Sequence, residues 1–444
     1  MNQRVVNFVR EMLATHRPPY ITEEEFRPGE STVHYAGPWW DERELAAAID
    51  TLLMGKWLPS GERVRQFEHA FSAKFRNDAS LMVNSGSSAN LVMIAAAKRM
   101  YGWEDGDEII VSAVGFPTTY APIVQCGLRP VFVDIEFGRL NFDLSLVRSA
   151  MTRSTRAILI APVLGNPPDM DRLAAMGVPL LLDNCDSLGS KWRGRYLNEF
   201  VEASSCSFYP AHHITTGEGG MVSGTEDFVA LARRIAWWGR DCYCVGSAND
   251  LPNGTCKRRF SEWLVPKHDG LVDHKYVFTE LGYNLKPLDL QGAIGLEQLA
   301  KFDEIHARRR ANHARLGAIV RTHLAGVHVP CEMEGAETSW FGLPIVCRDR
   351  AHKTWLQQHL ERAKIQTRNF FAGNILMHPA YAHLGDYREF PVANTVLDRV
   401  LFIGVAPHYS DAIFEYVASV MGEYDAATQI RLAESTPPGR GRGQ

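Results

Sequence analysis

The sequence predicts an α/β protein, with a large domain whose mostly parallel sheet is sandwiched by helices and a smaller C-terminal α+β domain. Three observations carry this. Between 81 and 239, short β-branched or aliphatic runs alternate with helical stretches, as in a parallel sheet covered by helices. From 240 to 290 the periodicity vanishes, and fifty irregular residues inside a compact enzyme usually serve a site or an interface. Beyond a long helical stretch from about Leu288 to Leu324, a second, shorter set of strand and helix patterns begins.

The elements follow in order. Residues 1–40 read as a helix to about Thr15 and then an arm rich in Pro, Gly and aromatic residues, suited to lying over a surface. The large domain, 41–314, opens with helices from Asp41 to the GKWLPSG break and over about Glu62 to Phe75. LMVNS leads into a helix over about Ser88 to Arg99. EIIVS, FPTTYAPIVQCG, PVFVDI, the helix of NFDLSLVRSA, RAILIAPV, DMDRLAAMG and VPLLLD continue the alternation. SCSFYP and GGMVSG are strand-like, and DFVALARRIAWWG closes this part before the irregular, cysteine-containing segment 240–287. The small domain, 315–435, has strand candidates in SWFGLPIVC and IQTRN and a helix at SDAIFEYVASVMGEY. The tail 436–444 is expected to be disordered.

Composition narrows the function. With 444 residues, 45% hydrophobic and 22% charged, the chain is neither a disordered activator nor a small disulfide scaffold. Its 47 basic and 51 acidic residues give a net charge of −4, which speaks against a dedicated nucleic-acid binder. No apolar run is long enough to span a membrane, and the first twenty residues lack a secretory pattern. A cytoplasmic location follows as the expectation. There, metal ligation explains a tight cluster among the eight cysteines better than disulfides do.

Four constellations carry chemistry. NSGSSAN (84–90) joins a strand end to a helix start, where free N–H groups and hydroxyls could receive a phosphate, or where the helix is simply capped. In LLLDNCDS (180–187), Asp183 ends a strand at the edge where α/β sheets place ligands. It could pair with a protonated ring nitrogen or cap the next helix. SFYPAHHITTGEGG (207–220) sets two adjacent histidines before a Gly-rich turn, and adjacent side chains diverge too far to favour a metal pair. Cys242, Cys244 and Cys256 form C-x-C-x11-C in the irregular segment, with Cys185 as the available fourth thiolate, for zinc or an iron–sulfur cluster.

Read together, SGSSANL, DEIIVSAVGFPTTYAPIVQCGLRPVFVDI, LLDNCDSLGS, SFYPAHHITTGEGG and LGYNLKPLDLQGAIGLEQL resemble the sugar aminotransferase branch of the fold-type I pyridoxal-phosphate enzymes. The resemblance implies a fold-type I aminotransferase-like architecture over nearly the whole chain after residue 40. It also implies phosphate binding by Gly86, Ser87 and Ser207, stacking of Phe116 on the cofactor ring, and Asp183 on the pyridine nitrogen. Asn284 would reach the phosphate site of a second copy in a homodimer with shared active sites. The departure is His212, which stands where ordinary members carry the lysine that binds pyridoxal phosphate covalently. PAHH resembles the sugar 3-dehydratases that use pyridoxamine phosphate. Cysteines matching Cys185, Cys242, Cys244 and Cys256 resemble their iron–sulfur subgroup, although the x11 gap is longer than that subgroup's. This implies a [2Fe–2S] cluster fed by an electron-donating reductase and a CDP- or TDP-linked 4-keto-6-deoxy sugar as substrate. His212 would act as the base that takes a proton from the cofactor C4′. The competing expectations are a cluster-independent dehydratase of the same family and a nucleotide-sugar aminotransferase; Lys191 and Lys257 are nearby, but neither follows the SFYPA strand end.

Overall fold

A computed structural model describes residues 2–16, 18, 26–55, 58–241 and 272–435. Its largest sheet has seven strands in the order Ala79–Val83, Gly220–Gly224, Ala203–Ser207, Leu180–Asp183, Thr155–Ile160, Glu108–Ser112, Arg129–Val133. Gly220–Gly224 runs antiparallel to both its neighbours, and the other six strands share one direction.

Burial explains why those runs are continuously apolar rather than alternating. Leu81, Val83, Val111, Leu159, Leu181 and Val222 pack on the helix Gly86–Tyr101 through Ala89, Val92, Met93 and Ala96. Met82, Cys206 and Met221 face the other way, onto Phe67, Phe71 and Phe75 of the helix Glu62–Phe75 and onto Phe302. Neighbours along a strand point to opposite faces, so a sheet covered on both sides needs apolar residues at every position.

One common direction also brings strand ends together. Val83, Asp183 and Ser207 all finish at the carboxyl edge, where the following loops must turn back. Ligands collect at this edge in open α/β sheets.

The smaller sheet is antiparallel, in the order Val327–His328, Gly342–Cys347, Val400–Gly404, Thr367–Asn369. Helices Phe302–His323, Arg350–Arg362 and Asp411–Ser435 flank it. The last runs well past the Tyr424 at which the expected helix stopped. The N-terminal arm joins this unit: Val33 bridges Ile365, its N–H donating to the Lys364 carbonyl at 2.9 Å and its carbonyl accepting from Gln366 at 3.0 Å.

The long helix expected from Leu288 to Leu324 is two helices, Asp289–Ala300 and Phe302–His323. They break at Lys301, whose buried ammonium lies 2.6 Å from Glu44 and 3.0 Å from Asp41. Periodicity alone cannot register that break, because the carboxylates that anchor it belong to a distant helix. Among the described residues no helix is long and apolar enough to cross a membrane.

Candidate active site

A cavity of about 580 Å³ opens between the carboxyl edge of the large sheet and the small sheet. Gly86, Ser87, Phe116, Asp183, Cys185, Ser207 and His212, all singled out in the sequence, line it together.

Its phosphate-sized end is built on a close approach. Ser85 caps the helix Gly86–Tyr101, its hydroxyl accepting from the Ser88 N–H at 3.1 Å. A Cβ at Gly86 would lie 2.4 Å from Ser207 Cβ and 2.8 Å from its Oγ, so only glycine lets the helix N-terminus reach the strand end. The first-turn N–H groups and the hydroxyls of Ser87 and Ser207 therefore converge in one place, with the positive end of the helix dipole behind them.

Asp183 sits deeper and is buried. Asn90 Nδ2 and Thr119 Oγ1 donate to its Oδ2 at 2.8 and 2.7 Å, and the Cys185 N–H donates to Oδ1 at 3.3 Å. Asn90 is itself fixed by the Ser205 hydroxyl, which donates to its Oδ1 at 2.5 Å. Three donors fix the carboxylate and aim it into the cavity. Next to it, burial and then the Asp183 charge push the Asp186 carboxyl up to about 7.

His212 lies 3.7 Å (Nδ1) from Asp186 Oδ1, with its ring 5.2 Å from that of Phe341. Burial drives its pKa down to about 4, against the opposing pull of Asp183, so the imidazole is neutral in the fold. His213 turns away and bonds the Ser339 carbonyl at 2.9 Å, the divergence expected of adjacent side chains. Beneath both, Arg309 is 1% exposed, and its guanidinium donates to the carbonyls of Phe341, Ala211 and His212 at 3.2, 3.4 and 3.1 Å. Phe116, at the start of the helix Pro117–Gln125, projects into the cavity with Phe371 edge-on at 5.9 Å.

Two predicted features lie elsewhere. Asn284 is exposed and outside the cavity wall, accepting from Lys286 Nζ at 2.8 Å. Cys242, Cys244 and Cys256 lie outside the described residues, and among the described ones no cluster of three or more His, Cys, Asp or Glu is placed to hold a metal. The thiol of Cys185 is pushed well above its ordinary range by burial, and then by Asp183.

A profile of the DegT/DnrJ/EryC1/StrS aminotransferase family matches residues 40–422. The chain belongs to this family. Among family relatives, it is 38% identical to dTDP-4-dehydro-2,6-dideoxy-D-glucose 3-dehydratase of Saccharopolyspora spinosa, over 92% of this chain and 90% of that one. It is 33% identical to GDP-4-keto-6-deoxy-D-mannose 3-dehydratase of Yersinia pseudotuberculosis, over 83% and 93%. The solved Escherichia coli GDP-4-keto-6-deoxy-D-mannose 3-dehydratase with bound hydrated pyridoxal phosphate superposes with a TM-score of 0.77 at 31% identity, over 88% of this chain and 99% of that one. The fold is thus of the fold-type I, pyridoxal-phosphate aminotransferase kind, as the sequence predicted.

Family cofactor chemistry fits the cavity. A glycine-opened helix N-terminus suits a phosphate, a buried carboxyl group fixed by three donors suits a protonated pyridine nitrogen, and an aromatic face suits the ring between them. Sequence reasoning missed Asn90, Thr119, Asp186 and Arg309. The first three had a signal: Asn90 is one turn beyond Gly86, Thr119 follows Phe116 in FPTT, and Asp186 shares LLLDNCDS with Asp183. Arg309 had none.

Proposed function

We propose that this chain is a pyridoxamine-phosphate-dependent 3-dehydratase that removes the C3 hydroxyl of a CDP- or TDP-linked 4-keto-6-deoxyhexose. The observation that carries the reading is an imidazole, His212, facing the same cavity as Asp183, with no lysine among the described residues that line it. An aminotransferase needs a lysine there to keep its cofactor between half-reactions. The naming of relatives as sugar 3-dehydratases supports the same class.

When bound, the cofactor supplies an amine for the sugar's C4 ketone and a ring that draws electrons. The helix N-terminus, Ser87 and Ser207 hold its phosphate, and Phe116 covers the ring. Asp183, locked by Asn90 and Thr119, keeps the ring nitrogen protonated. His212 takes the proton from C4′, and Arg309 fixes the backbone that carries His212. The test is tritium exchange from solvent at C4′ of bound pyridoxamine phosphate in the presence of the keto sugar. His212→Asn should retain the cofactor and slow exchange by about 10²–10⁴-fold. Exchange at the wild-type rate would remove His212 from the role.

The same reading gives the chain a [2Fe–2S] cluster on Cys185, Cys242, Cys244 and Cys256, reduced by an electron-donating reductase, and a cytoplasmic location in which thiols stay reduced. Anaerobically purified protein should then hold about two irons and two sulfides per chain. Stoichiometric zinc instead would sink the cluster. A second reading is a cluster-independent dehydratase of the same family, since among the described residues no cluster of three or more His, Cys, Asp or Glu is placed to hold a metal. Iron analysis separates the two. The reading also includes a homodimer. Asn284 is exposed beside Leu281, at 99% exposure, and Phe278 and Tyr276, an apolar surface suited to a second copy. Asn284→Ala should weaken cofactor binding by about 1–3 kcal/mol. A monomer of full cofactor affinity would refute shared sites.

A further inference from the structure

We infer that Arg368, held by Tyr35 of the N-terminal arm, is the cation that receives the diphosphate of a nucleotide-linked substrate. This deepens the proposed function and rests on it.

The argument begins with charge. The cavity wall includes two carboxyl groups, Asp183 and Asp186, and the cofactor phosphate adds more negative charge. A nucleoside diphosphate sugar brings about two further negative charges, which need a donor set of their own. The cofactor end has no cation to share, since its phosphate cradle is made of N–H groups and hydroxyls. Among the described residues lining the cavity, Arg368 is the one Lys or Arg.

Arg368 is also prepared for the task. It lies in the edge strand Thr367–Asn369 of the small sheet, in register with Phe402, and it is exposed. No carboxylate of the described residues forms an ion pair with it, whereas most exposed arginines among the described residues have one, as Arg350 does with Asp398 and Arg388 with Asp386. Instead, its guanidinium stacks 4.0 Å over the Tyr35 ring, and Nη1 donates to the Thr367 carbonyl at 2.7 Å. Stacking on an aromatic face restrains the plane of the guanidinium and leaves edge N–H groups for bidentate contact with phosphate oxygens.

The arm gains a purpose from this. Val33 is bonded into the edge of the small sheet, and the Tyr35 N–H donates to Gln366 Oε1 at 3.2 Å. The Tyr35 ring meets Phe402 edge-on at 6.2 Å, and its backbone presses on Gly404, where a Cβ would lie 2.1 Å from the Tyr35 carbonyl oxygen. The ring that supports Arg368 is therefore fixed from three sides. Such fixation is unnecessary for a merely solvated arginine.

The experiment titrates protein loaded with pyridoxamine phosphate, by calorimetry, with CDP and TDP and with the nucleosides cytidine and thymidine. Wild-type protein should bind at least one diphosphate more tightly than its nucleoside. Arg368→Met should lower that diphosphate affinity about 10- to 100-fold, as loss of charged hydrogen bonds predicts, and leave nucleoside and cofactor affinities unchanged. Arg368→Lys should fall between, because an ammonium keeps the charge but loses the fork. Diphosphate binding by Arg368→Met and Arg368→Lys at the wild-type affinity would overturn the assignment while leaving the proposed function standing. An equal loss of nucleoside affinity would overturn it too, since the contact would not be to phosphate. If the wild type binds neither CDP nor TDP, the proposed substrate class itself fails, and the assignment with it.

Discussion

Gly86→Ala is the sharpest perturbation of the cofactor cradle, because it adds one methyl group at the point of closest approach. Gly86 does not occupy the left-handed region, so alanine brings no backbone strain there and the effect is purely steric. The new Cβ would sit 2.4 Å from Ser207 Cβ and 3.0 Å from Ser207 Cα. Carbon atoms in contact prefer about 3.5–4.0 Å, so the helix start and the strand end must separate by about 1 Å. The helix start is also close to the paired strand: a Cβ on Gly220, the cross-strand partner of Ser207, would lie 2.3 Å from the Ser85 carbonyl oxygen. The helix start therefore cannot relieve the wedge by sliding along the sheet toward Gly220.

Overpacking of this kind costs about 1–3 kcal/mol of stability. The larger consequence is for phosphate binding. A shift of about 1 Å spoils one or two charge-assisted hydrogen bonds, each worth about 1.5–3 kcal/mol, so the dissociation constant of pyridoxamine phosphate should rise at least tenfold. Fluorescence titration of apoprotein measures it, and pyridoxamine without its phosphate is the control. The variant should bind this control as the wild type does, because Asp183 and Phe116 are untouched. Wild-type affinity for pyridoxamine phosphate in Gly86→Ala would show that the phosphate lies elsewhere.

Two further outcomes follow from named contacts. Thr119→Val removes a 2.7 Å donor from Asp183 at nearly constant volume, and should cost about 1–2 kcal/mol of cofactor affinity; an unchanged dissociation constant would mean that Asp183 does not face the ring. His313, stacked 3.9 Å from Trp340 and held down to about 3 by burial, is neutral in the fold but charges in the unfolded chain below about 6.5, so its stabilisation is present above that pH and is lost on acidification. His313→Phe should keep the stack and lessen the stability lost between pH 7 and pH 5 by up to about 2 kcal/mol in urea unfolding; an identical loss in both proteins would exclude this group as the cause.

Contributions made by a contiguous stretch of chain were legible in the sequence, and those assembled from separate stretches were not. The strand ends at Asp183 and Ser207 could be placed because the buried runs LLLD and ASSCS stop there, and Gly86 could be placed because the cap Ser85 precedes it and a helix begins with it. His212 was legible as a departure from a pattern of resemblance. The break at Lys301 was not, because two carboxylates of a distant helix end decide it. Arg309 was invisible for the same reason: in a helix reading HARRRANHAR, nothing local marks which arginine is turned inward onto the carbonyls of Ala211 and His212. Phe371, held at φ 46° among the rings of Phe116, Phe341 and Phe402, is likewise a product of packing.

Arg309 bears on how one scaffold accommodates either a lysine or a histidine at the same place. A guanidinium is costly to bury without a carboxylate, and among the described residues this one has carbonyl partners only. Those carbonyls belong to the backbone on both sides of the cavity, Phe341 from the small sheet and Ala211 and His212 from the loop after Ser207. The loop is therefore held through its main chain, not through the side chain it presents. Exchanging that side chain leaves the carbonyl contacts intact, so the chemistry at position 212 can change without moving the loop. What must change with it is the surroundings of the new group. A neutral imidazole tolerates this dry pocket and the nearby guanidinium, whereas an ammonium would be penalised by both, with Asp183 and Asp186 as the acids lining the cavity among the described residues. A cation fixed beneath position 212 thus favours a neutral side chain there and disfavours a permanently charged one.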